Sequence, residues 1–442
     1  MSRKFDFSIQ WHITSNCINR CKHCYMYTDD YTPDEVSPSE FIKQYRSILD
    51  FEDKYEVRVP SVHLTGGSPI LHPYHSEIIQ YLHNRNIDVF LMDIPEIVND
   101  STLDELQKWS IKQFQMSLDG LETTHDAIRG EGSFERTISA CKKLIDIGIS
   151  PRIMYTLHRA NKNEMFELIN QLDKQLDMFK FSFDYLVSEG AGKCLSGDFS
   201  AEEVYETLCE YYDFAKSFNI QNKQKLLGLK PSQFHVIEAF RSKTMPRLCD
   251  EYSVVSGCLI GWSSIAILPN GDVLPCRRLP IVIGNLNKDS FEDIFLGSKL
   301  LRKFRRYSEY MRTCGNCSYA LYCRGCPAVN YGKTGDCFSR FDCYLKQEAT
   351  DVAKRAKIPA IDVSYEEEFE YIMNTMNNKL ANNYEKVLYG PNALRAFQAF
   401  KSDKTGLNEL MFNKREWIQK TNIDIEYDAR YLLCKCFNPF DE

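Results

Sequence analysis

The sequence predicts an α/β fold: about six βα units, then a small cysteine-rich domain, then a mostly helical segment. Two patterns carry this expectation. Apolar runs of strand length alternate with helical stretches from Phe5 to Leu186 over short connections, which calls for parallel strands wrapped by helices. Beyond them, from Cys249 to Cys343, cysteines crowd together at short intervals. The expected divisions are residues 1–235, 236–348 and 349–442, the last of unknown role.

Phe5 to Thr14 is an apolar run that reads as the first strand, and Pro38 to Phe51 as the helix after it. Val57 to Thr65 is the second strand, with a helix from His75 to Asn84. Ile87 to Asp93 is the third, followed by a helix from Ser101 to Trp109 with Ser101 as its cap. Gln113 to Leu118, Pro151 to Leu157 and Phe179 to Leu186 complete the strands, separated by helices over Phe134 to Ile145 and Asn163 to Leu176. In a barrel of such units, residues just past each strand face the active site.

The chain has 442 residues, 43% hydrophobic and 26% charged, the composition of a globular protein with an ample core. A net charge of −7 argues against a nucleic-acid partner, which a basic footprint would mark. No apolar run approaches the roughly eighteen residues of a membrane span, and Met1 to Asp6 lacks a signal segment. No membrane partner and a cytoplasmic location are expected. Seventeen cysteines in a reducing compartment read as metal ligands rather than as a disulfide framework.

Cys17, Cys21 and Cys24 form a C-x3-C-x2-C loop directly after the first strand. Three thiolates on a tight loop suit three irons of a cubic iron-sulfur cluster, leaving the fourth iron to bind something else. No Cys-Pro lies nearby to supply a fourth ligand. A structural zinc knuckle is the competing reading of the spacing.

This motif resembles the signature of the radical S-adenosylmethionine (radical SAM) enzymes. The resemblance implies a partial (β/α)6 barrel and a site-differentiated [4Fe-4S] cluster. One electron from that cluster splits SAM to a 5′-deoxyadenosyl radical. It further implies that His23 lies near the adenine. The loop Gly66-Gly67-Ser68-Pro69 is similar to the family's Gly-Gly-Glu-Pro, which binds the methionine amino group, with Ser68 in place of the glutamate. Ser117-Leu118-Asp119-Gly120, His125-Asp126 and Arg129-Gly130 resemble a string of the peptide-modifying branch. By that likeness Ser117 meets the ribose or carboxylate of SAM, Arg129 its carboxylate, and Asn161 lies near the ribose. Asp119, His125 and Asp126 read instead as capping and turn residues, and His158 as a surface residue. Glu189 to Lys193 reads as a mobile turn facing the substrate opening.

Cys258, Gly271 and Cys276 stand in a C-x12-G-x4-C pattern, with a hairpin expected about Asn270-Gly271. Cys314, Cys317, Cys323 and Cys326 follow, and then Cys343. This region resembles the SPASM domain, whose likeness implies two auxiliary [4Fe-4S] clusters. Cys258, Cys276 and Cys326, with Cys249 as candidate fourth ligand, would hold one; Cys314, Cys317, Cys323 and Cys343 the other. Cys337 is a surplus thiol able to replace Cys249 or Cys343, and a zinc ribbon is the alternative for the paired intervals. Arg277 and Arg278 follow Cys276, where the sulfatase-maturing branch carries a proton-accepting aspartate. The run Arg302 to Arg306 reads either as a grip for an acidic leader peptide or as a solvated helix face. Helices are expected over Tyr365 to Tyr389 and Asn392 to Phe400, and Cys434 and Cys436 are read as packing thiols.

The expected activity is that of a radical SAM peptide maturase: hydrogen abstraction from a ribosomal precursor peptide and closure of a thioether, C–C or C–O cross-link, with the auxiliary clusters taking up the electron. A flavodoxin- or ferredoxin-type reductant is an expected partner, and leader docking is expected from either the C-terminal segment or a separate leader-binding protein. The alternatives are a protein-residue dehydrogenase of the sulfatase-maturing type, modification of a small molecule, and a cluster-bearing binding or sensor protein. No side chain stands out as a catalytic acid or base.

Overall fold

The computed structural model describes residues 3–4, 7–26, 34–111, 113–195, 199–222, 224–228, 258–310, 325–339 and 360–381. Within them the predicted alternation is present: β1 Ser8–Thr14, α1 Pro38–Tyr55, β2 Ser61–Gly66, α2 His75–His83, β3 Asp88–Met92 and α3 Asp100–Lys108. The series continues through β4 Gln113–Ser117, α4 Glu122–Arg129, α5 Ser133–Asp146, β5 Pro151–Leu157, α6 Met165–Gln175 and β6 Phe179–Tyr185. After these come α7 Ala201–Gln221 and β7 Lys225–Leu227. Strands β1 to β7 pair in sequence order, every neighbour parallel, and the sheet does not close on itself. The fold is the expected open barrel of βα units.

Local chemistry explains the element boundaries. Ser37 and Glu40 form a reciprocal capping box with Pro38 in the first turn of α1. The second strand, expected from Val57, starts at Ser61 after a short Val57–Arg58 pairing, because Pro60 has no amide hydrogen to offer a ladder. Helix α3 is capped by Asn99, not Ser101: the Asn99 side chain accepts from the Thr102 amide at 3.1 Å. Helix α4 lies where turn chemistry alone was expected, with His125 and Ile128 on its buried face.

Strand periodicity sorts the side chains into two layers. Trp11 packs on Phe41 of α1 with ring centroids 4.4 Å apart, and Leu64, Leu91, Phe114 and Ile153 are likewise buried. Gln115, Met154, Thr156 and Asp184 alternate with that layer and line a cavity inside the barrel. The helix-facing layer is thus apolar, while the concave face is largely polar.

The hairpin about Asn270-Gly271 forms as predicted, from β8 Ser264–Ile267 and β9 Asp272–Leu274, with Gly271 at φ 85° in its turn. It does not stand apart from the barrel. β8 runs parallel to β1, Ser264 opposite Ser8 through Ile267 opposite Trp11, so the hairpin and β10 Gly284–Asn285 extend the same sheet.

The basic run proves to be neither a peptide grip nor a solvated face. Helix α8, Lys299–Arg305, turns Arg302, Arg305 and Arg306 inward, where all three are buried, and α9, Pro327–Thr334, follows it in the chain. Arg305 and Arg306 donate to Glu368 of α10, Tyr365–Ala381, at 3.0 Å and 2.6 Å. Arg302 donates to the carbonyls of Ile361 and Val363. Phe369 of α10 packs at a tilt on Tyr55 of α1, centroids 4.3 Å apart. The run therefore fastens α10 to the body. The described part of the expected helix from Tyr365 ends at Ala381, and the Asn392 to Phe400 helix, Cys434 and Cys436 lie outside the described residues.

Burial alone would raise the Glu368 carboxyl; the Arg306 hydrogen bond and the two guanidinium charges outweigh it and hold the group below its ordinary value. Its stabilisation is complete above the ordinary glutamate value and is lost as the pH falls through the lowered one. Replacing Glu368 by Ala strands two buried guanidinium groups, and we expect a loss of about 3–5 kcal/mol in chemical unfolding of the full chain.

Candidate active site

The site begins with a backbone interlock at the carboxyl ends of β1 and β2. The Gly67 amide donates to Thr14 O at 2.9 Å and the Ser68 amide to Asn16 O at 2.7 Å. A Cβ on Gly67 would lie 2.0 Å from Asn16 O, so only glycine lets the second loop lie against the start of the cysteine loop. The cysteine loop then turns back, with the Cys24 amide donating to Cys21 O at 3.1 Å. Cys17, Cys21 and Cys24, all half-buried, share one open cavity with His23, Gly66, Gly67, Ser117 and Arg129. Eight residues singled out in the sequence are thus brought together.

Asp119, fully buried just past β4, organises the far wall. Its Oδ2 accepts from Arg129 Nε at 2.5 Å and lies 3.3 Å from His23 Nε2, while its Oδ1 accepts from the Thr156 amide at 2.7 Å. Burial would raise the Asp119 carboxyl, but the charge of Arg129 and the contact with His23 hold it well below the usual carboxylate range. Arg129 sits 3.7 Å from Cys21 Sγ and 3.0 Å from His23 Nε2. A fixed cation therefore borders the thiols, which must be thiolates to ligate iron. His125 accepts from the Asp119 amide through Nδ1, so its proton lies on Nε2, toward Ser133 Oγ at 3.2 Å. Burial and Arg129 push His125 down to about 4, which keeps it neutral. Asp126 caps the following turn through the Gly132 and Phe134 amides, as expected.

Two predicted site residues do not line the cavity. Asn161 is buried behind its wall, donating to Asp119 O and Thr156 O and accepting from the His158 amide. Ser68 is buried too, with Oγ bonded to Asp93 Oδ1. His158, expected on the surface, is buried because its backbone and ring join the same turn as Asn161. The Glu189–Lys193 stretch packs under the cysteine loop, the Ala191 amide donating to Cys24 O at 3.0 Å.

Sequence inspection passed over Asp93 and Asp184, although both lie at the carboxyl ends of strands, where the fold puts its chemistry. Asp93 lines the cavity, and burial, outweighing hydrogen bonds from Ser68, Ile70 and Ile94, pushes it up to about 6. Asp184 accepts from Arg278, whose guanidinium also reaches Tyr185 O at 3.2 Å and lies 3.9 Å from Cys326 Sγ. Cys276 and Cys326 flank this arginine, so the second cysteine set borders the barrel. Arg277 lines the cavity against Met92 Sδ at 3.7 Å and the Tyr25 ring at 5.9 Å. His12, deep on β1, is buried with neither ring nitrogen partnered among the described residues, and burial lowers it to about 3. Cys258 is described and half-buried; Cys249, Cys314, Cys317, Cys323 and Cys343 lie outside the described residues.

The donor set fits an iron-sulfur cluster: three thiols on one loop, a cation beside them and an open cavity in front. Gly67→Ala should break the interlock that seats this loop. We expect iron bound per chain after anaerobic reconstitution to fall severalfold with the circular dichroism of the barrel retained.

Comparison with known proteins agrees. Residues 11–172 match the family model of the Radical SAM superfamily, and residues 258–318 match that of SPASM, an iron-sulfur cluster-binding domain. The AdoMet-dependent heme synthase of Methanosarcina barkeri is 26% identical over 346 residues, 77% of this chain and 94% of that protein. The antilisterial bacteriocin subtilosin biosynthesis protein AlbA of Bacillus subtilis is 27% identical over 326 residues, 72% of this chain and 66% of that one. Streptococcus suis SuiB, solved with S-adenosylmethionine and with precursor peptide SuiA, has the same fold. Its TM-scores are 0.59 and 0.60 at 16% and 17% identity, over 78% of this chain and 78% and 76% of that chain. Cysteine spacing, barrel and both family matches lead to one assignment: residues 11–172 carry a radical SAM domain and residues 258–318 a SPASM domain, and the chain is an enzyme that uses SAM and iron-sulfur clusters.

Proposed function

We propose that the enzyme is a peptide maturase that cross-links a ribosomal precursor peptide. The observation that carries this reading is the joint wall of the cavity. Arg277 and Arg278, which directly follow Cys276 and lie beside Cys276 and Cys326, border the same space as Cys17, Cys21 and Cys24. When bound, the first cluster supplies the electron that splits SAM, and the radical so formed takes a hydrogen atom from the substrate. Closing a thioether, C–C or C–O bond from that substrate radical releases one electron and one proton, and auxiliary clusters held by the second cysteine set would accept the electron. AlbA, named for subtilosin biosynthesis, and SuiB, solved with a precursor peptide, support the reading.

In this reading Cys17, Cys21 and Cys24 hold the first cluster. His23, Gly66, Gly67 and Ser117 form the SAM side of the cavity, and Arg129 fixes the cysteine loop through Asp119 while facing the SAM carboxylate. Ser68 and Asn161 act at one remove, Ser68 by holding Asp93 and Asn161 by tying Asp119 O to Thr156 O. Cys258, Cys276 and Cys326, with Cys249, hold one auxiliary cluster, and Cys314, Cys317, Cys323 and Cys343 the other. A flavodoxin- or ferredoxin-type reductant in the cytoplasm supplies electrons, and a separate protein binds the leader. Dehydrogenation of the sulfatase-maturing type fits less well, because a guanidinium at Arg277 cannot take up a proton at neutral pH.

A specific observation favours a second reading, a tetrapyrrole substrate. Among the described residues Arg277 enters the cavity without a carboxylate partner, and a propionate would supply one. The heme synthase of M. barkeri, matched over 94% of its length, is in keeping with it.

Anaerobic reconstitution decides between enzyme readings. We expect about twelve irons per chain. 5′-Deoxyadenosine should form from SAM and dithionite, and vanish when Cys17, Cys21 and Cys24 are all changed to Ala. A cross-linked peptide loses two hydrogen atoms per bond by mass spectrometry. Turnover of an iron porphyrin, with peptides left unchanged, would replace the maturase reading by the second one.

A further inference from the structure

SAM brings a primary ammonium into the cavity, and an ammonium in a partly dry site needs a carboxylate. The cavity-lining residues include two, Asp93 and Asp184. Asp184 already accepts from the Arg278 guanidinium. Asp93 is different. It is 8% exposed, and its hydrogen-bond donors are all neutral: Ser68 Oγ and the Ile94 amide on Oδ1, and the Ile70 amide at 2.9 Å on Oδ2. Those donors aim the carboxylate and leave Oδ2 able to accept again.

Its position is equally specific. Asp93 follows β3, next to β2, and it is bonded to the very residue that ends the Gly66-Gly67-Ser68 loop. The glycines offer backbone to whatever fills the cavity, while Ser68 turns away into the protein. The loop itself therefore presents no charge. Burial has pushed the Asp93 carboxyl up to about 6, and among the described residues no lysine or arginine is paired with it.

We propose that Asp93 is the acceptor for the SAM ammonium, and that Ser68 is its positioning residue, so that this chain carries on β3 the carboxylate its glycine loop lacks. The inference concerns SAM alone and holds whichever substrate is modified.

The test uses the full chain, reconstituted with its clusters, and equilibrium dialysis of two probes: SAM and its deamino analogue, which keeps the sulfonium and carboxylate. In Asp93→Asn we expect SAM to bind about 10- to 100-fold more weakly, with the analogue unchanged, as loss of one charged hydrogen bond requires. The change in the electron paramagnetic resonance of the reduced cluster on adding SAM should shift to correspondingly higher concentration. Equal weakening of both probes would mean that Asp93 only shapes the loop, and unchanged SAM binding that it makes no contact; either overturns the proposal. If Asp93→Asn takes up less iron than the wild type, the double variant Ser68→Glu, Asp93→Asn decides. A regained preference for SAM over the analogue supports a carboxylate acceptor at this spot, and no preference rejects it.

Discussion

A single buried carboxylate, that of Asp119, holds the active-site wall together. Its side chain joins the cysteine loop through His23, helix α4 through Arg129 and strand β5 through the Thr156 amide. Its backbone joins His125 and Asn161. A charge so deep in the protein is tolerable only because a guanidinium compensates it and each oxygen has a donor. The same arrangement brings a cation to the thiols. Structure and chemistry here depend on one another: the ion pair that makes Asp119 affordable also places Arg129 beside Cys21.

Around that anchor the two cysteine regions meet in one sheet. β8 adds to the free edge of β1, which blunts an exposed edge, and the chain that follows its hairpin brings Arg277 and Arg278 to the cavity. Arg278 completes the connection by spanning from Asp184 on β6 toward Cys326. On the opposite side, Glu368 and its two arginines clamp α10 against α8. Buried charge thus recurs as the means of joining segments far apart in the chain, where an apolar contact alone would fix neither register nor orientation.

Strand order and helix placement were legible because apolar periodicity is a local signal. Pro151–Leu157 alternates buried and half-buried residues without interruption, and its bounds were read without error. Boundaries went astray where one residue competes with the pattern, as Pro60 does in the second strand and Asn99 does before α3. The cysteine loop and the glycine loop were legible because their residue types have few other uses at such spacing. His158 and the arginines of Arg302 to Arg306 were misjudged, since a polar residue declares nothing about the partner that will bury it.

By itself the sequence determined the class of chemistry: thiol spacing after a first strand, glycines after a second, and paired cysteine intervals further on are covalent facts that folding cannot alter. Only the tertiary structure decided which polar groups face one another. That Ser68 turns inward to Asp93, that Arg129 is held by Asp119 and His23, and that Arg277 stands in the cavity against Met92 are outcomes of strand register and barrel curvature. The physical reason is range. Backbone preference and periodicity act over a few residues, whereas pairing among buried charges is settled across the sheet, by which strands lie side by side and which side chains share the concave face.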